Sequence, residues 1–276
     1  MSHFAYALRA ASERNRSHLC VGLDPTRLPA QFTNAEDGLY DFCMAIVEAT
    51  ADLACVFKPN IAFFEAHGPS GIASLRRLIA DMPHSVPVLV DAKRGDIGST
   101  AAAYAQAIFD QLGADAVTLS PYLGGDALAP FLAYADKGCF ILCKTSNPGS
   151  GDIQDLQLAS GEPLYMAVAR KTRESWNAHG NAGLVVGATY PEILAQVRAE
   201  CPGLPILVPG VGTQGGDLAA AARAACDADG SGLLINASRS ILYAGDGPDF
   251  AQAARAEALR LRDAINDALA PSSQAA

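Results

Sequence analysis

Short apolar runs recur along the whole chain, each followed by a longer segment in which apolar residues are spaced as in a helix. We predict eight strands from these runs, at 19–23, 53–57, 86–93, 116–119, 140–143, 184–186, 206–208 and 233–235. The runs contain little polar alternation, which is typical of parallel strands buried on both faces. Eight strands alternating with eight helices predict a closed (β/α)8 barrel, the TIM barrel of the α/β class.

The segments between the runs predict the helices of that barrel. They lie at 38–50, 70–81, 97–112, 126–136, 164–177, 191–200, 218–227 and 249–269, and an extra N-terminal helix at 2–14 precedes the first strand. An open, doubly wound sheet is the alternative fold, but it usually has fewer units, and G-x-G-x-x-G does not follow the first strand. We therefore expect a single TIM-barrel domain over 1–276, with a disordered tail at 271–276.

Charge and cysteine content limit the compartment and the partners. The chain has 20 basic and 29 acidic residues, so its net charge of -9 argues against a broad nucleic-acid or anionic-membrane surface. We find neither an apolar stretch long enough to span a bilayer nor a signal peptide. The seven cysteines form no C-x-x-C pair and are expected to be reduced core thiols rather than zinc ligands or disulfides. The sequence predicts a cytoplasmic protein without a metal site.

The densest group of charges follows the third predicted strand. The stretch 88–100, VLVDAKRGDIGST, places Asp91, Lys93 and Asp96 within six positions directly after a buried run. A lone D-x-K is usually a surface ion pair of little energetic value, but charges concentrated at the end of a buried strand are usually functional. The two-residue period of a strand puts Asp91 and Lys93 on one face, and Lys58 ends the neighbouring strand. Charges of alternating sign keep the carboxylates ionised and make one lysine a ready proton donor.

A second candidate site lies at the ends of strands seven and eight. The Gly-rich turn 210–216 and the Asn-Ala-Ser-Arg turn 236–239 occupy the positions at which TIM barrels commonly bind phosphate through backbone N–H groups. Arg239 would add a bidentate partner for an anion. The two turns together therefore predict a phosphate subsite.

These residues carry a resemblance to a known family. Asp91-x-Lys93-x-x-Asp96-Ile97-x-x-Thr100, with Lys58 and Asp24 ending earlier strands, resembles orotidine 5'-phosphate decarboxylase. The D-A-K-R-G-D-I-G-S-T and K-P-N segments are most similar to its mycobacterial-type (type 2) branch, and the resemblance covers nearly the whole chain. It implies decarboxylation of orotidine 5'-phosphate (OMP) at C6 to UMP and carbon dioxide, in pyrimidine biosynthesis, without a metal or organic cofactor.

The resemblance also implies residue roles. Lys58, Asp91, Lys93 and Asp96 would form the charged array, with Lys93 as the proton donor. Asp96, Ile97 and Thr100 would reach the neighbouring subunit's site in a homodimer. Asp24 would bind the ribose, Ser146 the pyrimidine, and Arg239 with Gln214 the phosphate. The substrate-binding residues expected in total are Asp24, Asn60, Ile97, Thr100, Ser146, Pro209, Gly210, Gln214 and Arg239.

Some alternatives remain open from the sequence. The connection after strand seven is short, so the long connection 144–163 is a hypothetical substitute lid, and a solvated insertion is the competing interpretation. A metal-dependent sugar-phosphate lyase is the nearest rival function, but the cation Lys58 would compete with a magnesium ion. A non-catalytic nucleotide-binding or scaffolding barrel is the rival from another class, and it would not need Asp91 and Lys93 together or retain four costly charges.

Overall fold

Eight parallel strands form a single barrel in the computed structural model, which describes residues 2–33, 35, 37–211 and 217–270. The strands are β1 Leu19–Leu23, β2 Val56–Pro59, β3 Leu89–Arg94, β4 Ala116–Leu119, β5 Gly138–Lys144, β6 Ala182–Val186, β7 Ile206–Val208 and β8 Leu233–Ala237. Their order is β2-β1-β8-β7-β6-β5-β4-β3, and parallel bridges from Phe57 to Val88 and from Asn60 to Asp91 close the ring between β2 and β3. The predicted TIM barrel is confirmed.

The helices surround the barrel in the predicted alternation. They are α1 His3–Asn15, α2 Gly38–Thr50, α3 Ile61–Glu65, α4 Gly68–Asp81, α5 Gly98–Gln106, α6 Gly125–Leu132, α7 Gly151–Gln154, α8 Leu164–Glu174, α9 Pro191–Glu200, α10 Leu218–Ala225, α11 Arg239–Leu242 and α12 Phe250–Leu269. A π-helical turn continues α5, and a 3-10 turn precedes α7. The predicted extra helix at the N-terminus is present as α1.

Several element boundaries differ from the sequence prediction. β2 begins at Val56 and includes Lys58, because its ladder with β1 pairs Cys20 with Val56 and Gly22 with Lys58. The short helices α3, α7 and α11 were not predicted, since four or five residues contain too little periodicity to be recognised. The predicted disordered tail 271–276 lies outside the described residues.

The barrel interior is filled at its amino-terminal end. The inner cluster contains Phe4 of α1 and Phe140 of β5, whose rings meet edge to face with centroids 5.8 Å apart. A Cβ at Gly138 would lie 2.4 Å from the Phe4 ring, so glycine is needed for α1 to pack here. This plug leaves the carboxyl ends of the strands as the open end of the barrel.

The outer layer of the core lies between strands and helices. Cys139 and Cys143 are buried in this layer, as the sequence predicted, and all the cysteines are free thiols. Among the described residues, no helix combines the length and apolar character needed to cross a bilayer.

Candidate active site

A cavity of about 300 Å³ opens at the carboxyl ends of the strands. Every strand, or the loop directly after it, contributes to its wall, so the cavity lies on the barrel axis. The lining residues are Asp24, Lys58, Asp91, Lys93, Thr118, Leu142, Thr145, Ser146, Asn147, Val185, Leu207, Pro209, Gly210, Val211, Asn236, Ser238 and Arg239. Leu142, Val185 and Leu207 make its floor apolar because they also belong to, or pack on, the inner core cluster.

Four charged side chains of alternating sign form a continuous array along one wall. Lys93 Nζ lies 2.7 Å from Asp91 Oδ1, and Lys58 Nζ lies 3.2 Å from Asp91 Oδ2. Lys58 also faces Asp24, with 3.9 Å between Nζ and Oδ1. The two lysines differ in access, since Lys58 is 3% exposed and Lys93 is 49% exposed. Lys58 is therefore a buried counter-ion, and Lys93 reaches the cavity.

The array holds its own charges in place. Burial raises the pKa of Asp91, but the charges of Lys58 and Lys93 and the hydrogen bonds from Lys93 and Thr118 outweigh it, so the pKa lies well below its ordinary value. Burial lowers the pKa of Lys58, but the charges of Asp24 and Asp91 outweigh this effect and raise the pKa above its ordinary value. Both groups are consequently ionised at neutral pH.

The strand carrying the array is irregular where Lys93 lies. Regular alternation was the sequence argument for placing Asp91 and Lys93 together, but Lys93 has a φ of 48°, in the left-handed region. The pairing of β3 with β4 shifts between Val90 and Arg94, which marks a bulge. The predicted proximity of the two side chains is present, but a bulge produces it rather than a regular strand.

Thr118 of β4 is a residue of this site that the sequence analysis missed. Its hydroxyl accepts hydrogen bonds from the Ala92 and Lys93 amides at 3.1 and 3.0 Å and donates to Asp91 Oδ1 at 2.8 Å. The available signal was a single hydroxyl within the apolar run of a buried strand, AVTL. A buried hydroxyl requires hydrogen-bond partners, and here they are all on β3.

The wall beside β5 is held by the segment that follows this strand. Thr145, Ser146 and Asn147 line the cavity. The Thr145 amide donates to Gln154 Oε1 at 2.9 Å. Lys144, only 1% exposed, pairs with Asp155 at 2.7 Å. The first half of the long connection 144–163 therefore folds back on the end of β5 as an ordered turn rather than as an extended loop.

The wall beside β7 and β8 contains residues of the predicted phosphate subsite. Pro209, Gly210, Ser238 and Arg239 line it, and Gly210 has a φ of 93°, a conformation that favours glycine. Gly22 of β1 allows β8 to approach, since an added Cβ would lie 2.7 Å from Ser238 Cβ. Gln214, predicted to contact phosphate, lies outside the described residues.

Other predicted site residues lie away from the cavity lining. Asn60 caps α3, with its Oδ1 accepting the Ala62 amide at 3.1 Å. Asp96 accepts the Ile97 amide at 2.8 Å and begins the loop into α5. Ile97 is 59% exposed, and Thr100 is also exposed. Among the described residues, no group of three or more His, Cys, Asp or Glu side chains is placed to hold a metal ion.

The fold and the cavity define a class, the TIM-barrel enzymes that bind a small molecule at the carboxyl ends of their strands. The chain belongs to the orotidine 5'-phosphate decarboxylase / HUMPS family, whose model matches residues 17–256. The expected type 2 branch stays a prediction.

Individual relatives agree over nearly the full length of the chain. An orotidine 5'-phosphate decarboxylase of Roseiflexus castenholzii is 60% identical over 269 residues, which cover 97% of this chain and 98% of the relative. One from an Azoarcus species is 55% identical, over 96% of this chain and 98% of the relative. The structure of Leishmania donovani OMP decarboxylase superposes with a TM-score of 0.87 at 45% identity, covering 98% of this chain and 99% of that chain.

Proposed function

We propose that this protein is an orotidine 5'-phosphate decarboxylase that converts OMP to UMP and carbon dioxide in pyrimidine biosynthesis. The observation that carries the proposal is the array of Lys93, Asp91 and Lys58 on the wall of the axial cavity. The family includes both orotidine 5'-phosphate decarboxylases and HUMPS proteins. Relatives that are 55–60% identical over almost the entire chain are named orotidine 5'-phosphate decarboxylase, which favours the first of these two activities.

The lining suggests one orientation for OMP. The phosphate lies against Gly210 and Arg239, which both line the cavity, and a guanidinium can bind an anion through two hydrogen bonds. Pro209 and Gln214 complete this end in the proposal. The pyrimidine lies toward Ser146 after β5, and Asp24, which also lines the cavity, accepts hydrogen bonds from the ribose hydroxyls. C6 of the pyrimidine then faces Asp91 and Lys93.

The reaction proposed at C6 uses the array directly. Asp91, kept ionised by two lysines, repels the substrate carboxylate in the ground state. The bond from C6 to the carboxylate carbon breaks, carbon dioxide leaves, and the electron pair remains on C6. Lys93 stabilises the developing carbanion and donates the proton that completes UMP. Its 49% exposure allows it to regain a proton from water. No step is assigned to a metal ion or an organic cofactor.

A homodimer with shared sites completes the proposal. Asp96, Ile97 and Thr100 follow the array within a few residues, and Ile97, at 59% exposed, and Thr100 are accessible to a partner subunit. In the proposed dimer these three residues reach the partner's cavity. The predicted role of Asn60 in substrate binding has weaker support. Its side chain caps α3, and its backbone pairs with Asp91 at the edge of the array, outside the cavity lining.

Subunit mixing tests the shared site. Lys93→Ala and Asp96→Asn homodimers should each be inactive, and co-refolding them should restore part of the activity, because one site of each mixed dimer is intact. Activity that stays absent in the mixture, or a wild-type enzyme that sediments as an active monomer, would remove the shared-site proposal.

The decarboxylase activity is tested by following loss of the orotate chromophore when purified protein meets OMP in EDTA. Wild-type protein should turn over, Lys93→Ala should not, and Lys171→Ala, an exposed lysine on α8, should behave as wild type. Activity that EDTA abolishes and magnesium restores would instead support a metal-dependent lyase. UMP binding without any turnover would support a non-catalytic nucleotide-binding barrel.

A cytoplasmic location and a single domain over 1–276 stay predictions. Support for the first comes from seven free thiols, six of them buried, which suit a reducing compartment. Support for the second comes from one sheet that contains strands from β1 through β8. Cell fractionation and limited proteolysis would test the two predictions.

A further inference from the structure

One buried hydroxyl, that of Thr118, contacts three successive residues of the strand that carries the array. Thr118 is 1% exposed and lines the cavity floor beside Asp91. Its oxygen accepts from the Ala92 and Lys93 amides at 3.1 and 3.0 Å, and it lies 2.8 Å from Asp91 Oδ1. Residues 91–93 are therefore all bonded to a single atom.

The hydrogen-bonding capacity of a hydroxyl fixes the direction of these bonds. Backbone N–H groups can only donate, so the Thr118 oxygen must use its two lone pairs for Ala92 and Lys93. Its one hydrogen is then left for Asp91 Oδ1, which is an acceptor because Asp91 is ionised. The hydroxyl therefore has one orientation, and this orientation supplies a donor to the carboxylate.

The same hydroxyl replaces the missing sheet acceptor at the bulge. β3 pairs with β4 at Val90–Val117 and next at Arg94–Leu119, so three residues on β3 face only Thr118 on β4. A bulge of this kind leaves backbone amides without ladder partners, and a buried amide without a partner is strongly unfavourable. Thr118 bonds both amides and so stabilises the left-handed φ of 48° at Lys93.

We propose that Thr118 is a positioning residue for the decarboxylation, and this proposal rests on the proposed function. It holds Lys93 in a backbone conformation that an L-residue rarely adopts, and it orients the Asp91 carboxylate between the two lysines. A lysine at φ 48° is strained, and strain of this kind persists only where the surroundings determine it. The strain directs the Lys93 side chain to the cavity, 2.7 Å from Asp91.

The competing interpretation is that Thr118 only satisfies buried amides and contributes to stability. The two interpretations differ in kinetics. A stabilising residue changes the amount of folded enzyme, whereas a positioning residue changes kcat of the folded enzyme. Since Thr118 bonds the array rather than the phosphate subsite, kcat should respond far more than KM.

The test compares variants that keep or remove the hydroxyl. Thr118→Val keeps the shape without the hydroxyl, and kcat for OMP should fall on the order of 10²-fold, the usual effect of a misplaced reacting group, with KM changed by less than about threefold. Thr118→Ser restores the hydroxyl and should recover kcat to within a few-fold. Thr172→Val is the matched control, because Thr172 is fully buried and its hydroxyl donates to the Val168 carbonyl within α8. It should lower the melting temperature and leave kcat unchanged.

The outcomes separate this proposal from the proposed function. If wild-type protein does not decarboxylate OMP, the proposed function fails. If wild-type protein is active and folded Thr118→Val retains wild-type kcat, the positioning role is wrong. If Thr118→Val does not fold, Thr118→Cys replaces it in the test, because a thiol is similar in size to a hydroxyl but forms weaker hydrogen bonds. It should then have a kcat well below that of Thr118→Ser, and equal values would overturn the proposal.

Discussion

Lys58 Nζ lies 3.2 Å from Asp91 Oδ2 in a position where the lysine is only 3% exposed. This pair joins β2 to β3 at the point where the barrel ring closes through isolated bridges rather than a full ladder. The contact thus has two consequences. It keeps Asp91 charged, and it ties together two strands that isolated bridges rather than a continuous ladder join.

Replacing Lys58 by methionine should weaken both the fold and the reaction. The change leaves Asp24 and Asp91 facing each other without the buried cation between them, which is expected to cost about 3 kcal/mol of unfolding free energy. Urea denaturation and kcat/KM for OMP measure the two effects. Lys137→Met is the control, because the pair of Lys137 with Asp115 is long, at 3.8 Å, and both side chains are partly exposed. A Lys58→Met enzyme with wild-type stability and activity would contradict this account.

Acid should destabilise the protein through Asp91. The folded-state pKa of Asp91 is depressed, so its contribution is present above its unfolded pKa and is lost as pH falls toward the folded value. Below about pH 4, the carboxyl takes up a proton in the unfolded state but not in the folded state. The free energy of unfolding then falls by up to about 1.4 kcal/mol for each pH unit. Urea midpoints between pH 2 and pH 6 should therefore fall less steeply in Asp91→Asn than in wild type. Equal slopes would show that Asp91 is not held ionised by its partners.

High pH should destabilise the protein through Lys58, as low pH does through Asp91. Its folded-state pKa is raised, so its contribution is complete below the unfolded pKa and is lost only as pH rises through the folded value. Together with Asp91 this leaves a broad window, roughly pH 5 to 9, in which neither group titrates. The pH profile of kcat/KM should show no ionisation assignable to Lys58 or Asp91 inside this window. A group titrating there in wild type and absent in Lys58→Met would contradict the assignment.

The Lys144–Asp155 pair is predicted to anchor the hypothetical lid 144–163. Lys144→Met removes a buried cation and leaves a half-exposed carboxylate that water can solvate, so stability should change little. The segment loses its anchor, and KM for OMP should rise roughly tenfold, or about 1.4 kcal/mol. Asp155→Asn should also raise KM for OMP, and KM of the double variant should be no higher than that of Lys144→Met.

Unchanged KM in these variants, and after truncation of the segment, would favour a solvated insertion instead of a lid. Additive effects of Lys144→Met and Asp155→Asn would show that the two side chains act independently.

Gly187 is predicted to control the position of Ser146. A Cβ at residue 187 would lie 2.8 Å from Ser146 Cβ and 2.9 Å from its amide nitrogen, and these atoms belong to an ordered turn rather than to a flexible side-chain end. Gly187→Ala should therefore displace Ser146 and raise KM. Gly149→Ala in the same segment is the control, because its new Cβ would approach no atom closer than 3.6 Å. Equal KM values for the two variants would show that Ser146 does not contact the substrate.

Much of the site followed from local sequence rules. Buried runs in parallel strands end at one rim, so Asp24, Lys58 and Asp91 could be placed at the same opening without any knowledge of packing. The observed cavity contains all three. The phosphate subsite was predicted in the same way, and Pro209, Gly210 and Arg239 line the same cavity.

Other features could not be predicted locally. Lys93 adopts a left-handed conformation although it is not a glycine, so the sequence gives no sign of it. The conformation is stabilised by Thr118, which is distant in sequence and bonds the displaced amides. Asn60 resembles a polar strand-end residue, but the turn into α3 uses its oxygen as a helix cap. The placement of Asp96 outside the cavity depends on how the chain leaves the bulge.

The order of apolar runs in the chain was enough to define a closed barrel and the rim at which its chemistry lies, because strand burial and helix periodicity are local properties of the sequence. The tertiary structure decided which atoms meet at that rim. Contacts such as that of Thr118 with Lys93 join neighbouring strands whose residues are 25 positions apart, and their geometry depends on register and bulges, which no local pattern encodes.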